Sequence, residues 1–292
     1  MQGQRWQALR LIASPYHDGV AEVDRGRGPT SLLEKLHVSG ALSALQHPAS
    51  VETIAAVSPA TPEAARVFEL NRRLARHVRT ATADGAFPFV LAGDCNSCLR
   101  TVAGCGARDL GVVWFDAHAD FDSPEDTRSG SLDGMGLAML TGRSWGALRE
   151  TVPGLAPIPE NQVVLVAVRD LEPTQRDRLQ SSRIRSLEGD AFSDSDLRLA
   201  LDDLREQVHR VYLHVDLDAL DPDEGTANQY GAPGGLSSAR LHSAVAEVFG
   251  RFHVVAAAIT AYNPMSDGDG RMAAIATRLL TAIVGHALPN DR

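Results

Sequence analysis

Gly111-Val-Val-Trp-Phe115-Asp116-Ala-His118-Ala-Asp120 is the stretch on which the reading of the whole chain turns. Its apolar first half, with β-branched Val112 and Val113, predicts a strand over Gly111–Phe115 buried on both faces. Three ligand-type side chains then alternate with alanines. In an extended chain a period of two sets Asp116, His118 and Asp120 on the same side, facing one point past the strand's carboxyl end. In an open α/β sheet that is where ligands bind.

Similar apolar runs, rich in Val, Ile and Leu, predict strands near Ala8–Ala13, Val51–Val57, Pro88–Ala92, Val163–Val168, Ile184–Ser186, Val211–Val215 and His253–Thr260. Helical spacing fills the intervals at Pro29–Leu45, Thr61–Ala83, Asn96–Gly104, Leu132–Leu140, Thr174–Gln180, Ser193–Gln207, Ser237–Phe249 and Gly270–Ala287. The second of these opens with Thr61 as N-cap, Pro62 at the first position and Glu63 in the first turn. Alternation of this kind predicts an α/β fold, a mostly parallel eight-stranded sheet with helices on both faces. No repeat period and no low-complexity linker divides the 292 residues, so a single domain over 1–292 is expected.

The formal charge of −9, without clustered Lys or Arg, argues against nucleic acid and for a small-molecule substrate. Met1–Ser14 holds charges and only a short apolar run, neither a signal peptide nor a membrane span, and the chain reads as cytoplasmic. Cys95, Cys98 and Cys105 sit in one short segment and build no disulfide framework. No Gly-x-Ser-x-Gly elbow, Walker loop or placed Gly-x-Gly-x-x-Gly points to a serine hydrolase or a nucleotide binder.

Leu213-His214-Val215-Asp216-Leu217-Asp218 repeats the arrangement of the opening stretch and delivers two more carboxylates to a strand end. Burying Asp116, Asp120, Asp216 and Asp218 together is prohibitive unless cations neutralise them. Oxygen ligands with an imidazole favour Mn²⁺ or a similar divalent ion, and this many ligands suggests two. Two ions roughly 3.5–4 Å apart can share a water, lower its pKa and present hydroxide to an electrophilic carbon. His214, among apolar neighbours, reads as a core or subunit-contact residue, and Asp221-Pro222 as a turn at the strand exit.

Asp116-Ala-His118-Ala-Asp120, Asp216-Leu-Asp218-Ala-Leu-Asp221-Pro222, Gly93-Asp94, Gly231-Ala-Pro-Gly-Gly-Leu236 and the early Gly26-Arg-Gly28-Pro29 closely resemble, in order, the signatures of the arginase/agmatinase/formimidoylglutamase (ureohydrolase) family. The resemblance implies a three-layer α/β/α fold, two Mn²⁺ ions and attack of a metal-bridging hydroxide on a guanidino-type carbon. Carried over by position, Asp116, His118, Asp120, Asp216 and Asp218 would be metal ligands, with Asp120 also handling a proton. Cys95 stands where the family has its first histidine ligand, and as a thiolate it would be a softer sixth ligand. Asp133 stands where arginases keep a proton-shuttling histidine, and it is taken as a second catalytic residue with a different proton route. Thr260-Ala261-Tyr262-Asn263-Pro264 lacks the family's substrate-clamping glutamate.

These departures resemble the N-omega-hydroxyarginine hydrolase branch. Asp122, Ser129, Ser131 and Glu172 fall where the family contacts its substrate, although Glu172 reads equally well as a cap of the helix starting near Pro173. Family members are commonly trimers or hexamers, so the resemblance implies a possible homo-oligomer. Two competing readings stand beside a guanidino or hydroxyguanidino hydrolase: a hydrolase of another amide, such as an acetylated polyamine, and a non-catalytic or regulatory protein of the same fold.

Overall fold

The computed structural model of the chain describes residues 6–288, so the Met1–Arg5 part of the amino-terminal stretch lies outside the described residues. Among the described residues there are ten strands: β1 (Ala8–Ser14), β2 (Tyr16–His17), β3 (Val20–Ala21), β4 (Ala49–Thr53), β5 (Ala86–Ala92), β6 (Leu110–Phe115), β7 (Val163–Val168), β8 (Arg185–Glu188), β9 (Arg210–Asp216) and β10 (His253–Thr260). The helices are α1 (Gly28–Val38), α2 (Glu63–Ala83), α3 (Cys98–Cys105), α4 (Gly136–Thr141), the single turn α5 (Gly146–Arg149), α6 (Pro173–Gln180), α7 (Asp194–Arg205), α8 (Ser238–Arg251) and α9 (Arg271–Ala287).

Eight strands form one sheet in the order β4-β1-β5-β10-β9-β6-β7-β8, and every pairing in it is parallel. β5 and β6 are consecutive in the main sheet but lie on either side of β10 and β9. The chain changes direction across the sheet there, and a crevice opens beyond the strand ends. Helices α2, α3 and α4 pack in series, as do α1, α9, α8 and α7, and the two runs enclose the sheet. β5 and β6 are buried along their whole length, as strands covered on both faces must be. No helix among the described residues is long and apolar enough to cross a membrane.

Three expectations are corrected in detail. The edge strand runs over Ala49–Thr53 rather than Val51–Val57, because the apolar anchor of that segment, Ile54, lies just beyond the strand, its N–H donating to Ala13 O at 2.9 Å. The first helix stops at Val38 rather than Leu45, since Gly40 takes φ +69° and ends the turn. Thr61 does not cap α2; Pro62, with extended backbone, precedes its first turn.

Two glycines set how closely the site loops approach. A Cβ on Gly93 would lie 2.3 Å from Tyr16 O, and one on Gly28 would lie 2.1 Å from Tyr262 O. Only glycine permits the loops after β1, β5 and β10 to meet this tightly.

Candidate metal centre and its cavity

Four adjacent strands deliver the site. Gly93-Asp94-Cys95 follows β5, Asp116–Asp120 follows β6, Asp216 ends β9, and Thr260 ends β10. Possible ligand atoms gather in overlapping groups whose members lie within 4.8 Å of one another: Cys95 with Asp116 and Asp216, Asp116 with His118 and Asp218, and Cys95 with Asp120 and Asp133. All six residues expected to hold metal are therefore brought together, with Asp116 shared between two groups.

The route to this arrangement differs from the one the alternation suggested. β6 ends at Phe115, and Asp120 has φ +47°, so Asp116–Asp120 is not an extended segment with three side chains on one face. The left-handed turn sends Asp120 to the Cys95 side, while His118 goes to the Asp218 side, its Nδ1 3.5 Å from Asp218 Oδ2. Asp216 and Asp218 diverge likewise, because the strand passes into a 3-10 turn over Leu217–Ala219.

The electrostatics state the problem that a cation would solve. Burial first, and then the neighbouring Asp218 carboxylate, raise the Asp116 pKa to about 6. Burial and repulsion push Asp120 and Asp216 well above the ordinary carboxylate range. Burial alone would lower the His118 pKa, but Asp218 and Asp116 outweigh it and lift it to about 10. Asp120 Oδ2 is buried with no hydrogen-bond partner. A buried carboxylate oxygen without a donor, beside three more carboxylates, an imidazole and a thiol, fits a site for divalent cations.

Of the supporting groups, Trp114 and Asn228 were not singled out from sequence, whereas His214 and Asp221 were read there as structural. Trp114 Nε1 donates to Asp116 Oδ2 at 2.9 Å, and Asn228 Nδ2 donates to Asp218 Oδ2 at 3.2 Å and to Ala261 O at 2.9 Å. Under Cys95 runs a buried chain: Sγ lies 3.2 Å from Thr260 Oγ1, which lies 3.2 Å from His214 Nε2, whose Nδ1 lies 2.8 Å from Tyr212 Oη. Burial pushes the His214 pKa down to about 3, which keeps the imidazole neutral. Cys98 and Cys105 are free, buried thiols. Asp221 accepts the Gly234 and Gly235 N–H groups at 2.7 and 3.0 Å and holds the glycine-rich loop.

Above these candidate ligands lies a cavity of about 170 Å³, lined in part by Asp122, Ser129, Ser131 and Asp133. Glu172 is not among its lining residues: it precedes α6, its N–H donating to Gln175 Oε1 at 2.9 Å, and it pairs with Arg128. Asp133 reaches the site but is not a free acid. Oδ1 accepts the Cys95 N–H at 2.6 Å, and Oδ2 pairs with Arg25 Nη1 at 2.7 Å. Arg25 and Tyr230, both cavity-lining, had no sequence signal beyond the neighbouring Gly26-Arg-Gly28-Pro29 and Gly231 motifs.

Comparison with known proteins places this geometry. The model of the arginase family matches residues 8–285. An arginase of Staphylococcus aureus (strain COL) is 30% identical over 234 residues, 76% of this chain and 75% of its own length. The crystal structure of Bacillus subtilis arginase superposes with a TM-score of 0.82 at 26% identity, covering 97% of this chain and 99% of that one. The arginase of Bacillus caldovelox gives 0.85 at 25% identity, covering 98% and 99%. The chain belongs to the arginase family, the hydrolases of amidine and guanidine carbon–nitrogen bonds.

Proposed function

We propose that the chain works as one domain that hydrolyses a linear C–N bond in a guanidino, hydroxyguanidino or similar small molecule, using two divalent ions, in the first instance Mn²⁺. The observation that carries this reading is the pair of overlapping ligand groups sharing Asp116, next to a buried Asp120 oxygen that no protein donor satisfies. Cys95, Asp116, Asp120 and Asp216 would hold one ion and Asp116, His118, Asp216 and Asp218 the other. When bound, the ions supply water made acidic enough to act as a nucleophile at neutral pH.

The protein's own groups do the rest. Asp120 would take a proton from the attacking water as its oxygen bonds to the substrate carbon, and deliver that proton to the leaving nitrogen as the C–N bond breaks. Asp133 acts through its fixed contacts, holding the Cys95 backbone and Arg25 in place. Asp122, held at both oxygens by Gln175 Nε2 at 2.9 Å, joins Ser129 and Ser131 in orienting the substrate on the outer wall. Glu172 stands further out and meets only the far end of a long substrate. Against the non-catalytic reading, a chain without metal gains nothing from four clustered carboxylates that repel one another.

The test is metal content by elemental mass spectrometry, on protein purified without a metal-affinity step, followed by product release from arginine, N-hydroxyarginine, agmatine and acetylated polyamines. About two equivalents of a divalent ion, with turnover of a guanidino compound, is the expected result. Metal content near zero that added Mn²⁺ does not restore would overturn the reading in favour of a non-catalytic protein.

A further inference from the structure

The hydrogen-bond accounts of the cavity wall show what kind of molecule it complements. The carboxylates that line it are Asp120, Asp122, Asp133, Asp216 and Asp218. Asp122 is taken at both oxygens by Gln175, and Asp133 by the Cys95 N–H and Arg25. Asp216 accepts from the Asp218 N–H at 2.9 Å and lies 3.0 Å from Cys95 Sγ, while Asp218 accepts from the Ala117 N–H and Asn228. Asp120 alone keeps a buried oxygen without a partner, and it is claimed by the metal centre. Outside the ligand cluster, both oxygens of Asp122 and of Asp133 already have partners, so the wall offers no unpartnered carboxylate to a second cationic group of the substrate.

Donors are in surplus at one residue. Arg25 is 7% exposed and lies over the Tyr230 ring, 5.0 Å from its centroid. Burial opposes its charge, but Asp133, Asp94 and Asp216 outweigh that and keep it protonated. A guanidinium has five N–H donors. Nη1 meets Asp133, Nη2 lies 3.3 Å from His17 Nδ1, and Nε has no partner. The buried cation thus has unspent donors and sits one side chain from the ligand cluster, since Asp133 bridges it to Cys95.

We propose that Arg25 is a specificity-determining residue that receives a carboxylate of the substrate, so that the site takes guanidino acids with a short linker rather than guanidines with a neutral or cationic tail. The planar fork of arginine matches a carboxylate, and the Tyr230 ring fixes its plane. The proposal rests on the metal-centre reading only for where the guanidino end of the substrate lies.

Calorimetric titration of the Mn²⁺-loaded protein tests it, with 3-guanidinopropionate, its neutral primary amide and agmatine as probes. The acid should bind about tenfold to a hundredfold tighter than the amide, as a charge-assisted hydrogen bond in a buried setting gives. Arg25→Gln should bring acid and amide to within about twofold by loss of affinity for the acid alone. Because that variant leaves Asp133 unpaired, the double variant Arg25→Gln/Asp133→Asn removes the ion pair as a unit and should show the same loss. Arg25→Lys, which keeps the charge without the fork, should lose part of the preference. Equal affinity for acid and amide in the unmodified protein, no binding of the acid, or a preference that survives all three variants would overturn the proposal. Carboxylate-dependent binding without any product release would instead count against the hydrolase reading and leave this one standing.

Discussion

Sulfur is the odd donor in a cluster otherwise made of oxygen and imidazole, and the groups behind it have a direction. A neutral imidazole donates from one nitrogen and accepts at the other. With Tyr212 Oη donating to His214 Nδ1, Nε2–H points to Thr260 Oγ1, whose own hydrogen reaches Cys95 Sγ at 3.2 Å, closer than its other acceptor, Val215 O at 3.4 Å. Burial and the neighbouring Asp216 and Asp120 push the Cys95 thiol up, and a hydrogen bond into the sulfur together with a bound cation would offset this and hold its lone pairs toward the cluster. Thr260→Val keeps the shape and removes the donor, so metal affinity should fall about tenfold or more in competition with a chromogenic chelator. Unchanged affinity would mean that the chain under Cys95 is packing only. Cys95→His should still bind two ions, with preference moving from softer metals toward Mn²⁺. If the preference measured with mixed metals stays where it was, the sulfur is not a ligand.

At the scale of elements, the strands and helices were legible where burial imposes a period. β7 and β10 run over the residues that the apolar pattern delimits, because strands covered on both faces have no latitude in what they bury. The edge strand β4 was misplaced because it is largely exposed, and its pattern therefore says little about register. The residues that gather at the candidate centre stood out by type and spacing, but their division into two groups did not. That division is made by the positive φ of Asp120, a backbone state that residue type alone does not announce. Arg25 escaped notice for a related reason: a lone arginine gives no sign that its partner lies 108 residues away at Asp133 until the loops close. That closure depends on the start of α1. Gly28 brings the helix against the loop after β10, and a methyl group there would meet Tyr262 O at 2.1 Å. Gly28→Ala should cost about 1–3 kcal/mol in chemical denaturation. It should also loosen Arg25, three residues earlier. A variant as stable as the parent would show that α1 shifts without penalty and that the close approach is not required.

For the molecule as a whole, the ligand cluster joins the ends of three strands, β5, β6 and β9, so its charge state bears on the stability of the fold. Consider the metal-free protein. Asp116 titrates near 3.8 when unfolded and about 6 when folded, burial and Asp218 being the causes. Across that window the folded chain holds more protons than the unfolded one, and stability falls as pH rises. Asp120 and Asp216, pushed up further, extend the loss to higher pH. His118 adds to it in the same direction: its contribution is complete below about 6.5 and is lost as pH rises through about 10. Metal binding runs the other way, because the ligands must be deprotonated to bind, so affinity grows with pH. The chelated protein should therefore lose Tm between about pH 5 and about pH 8, and the gap between metal-loaded and chelated samples should widen over the same interval. Differential scanning calorimetry of both forms in matched buffers measures the gap directly. A gap that stays constant with pH, with a chelated Tm that does not fall, would mean that these carboxylates are not the groups a cation neutralises, and the metal centre would have to be sought elsewhere in the fold.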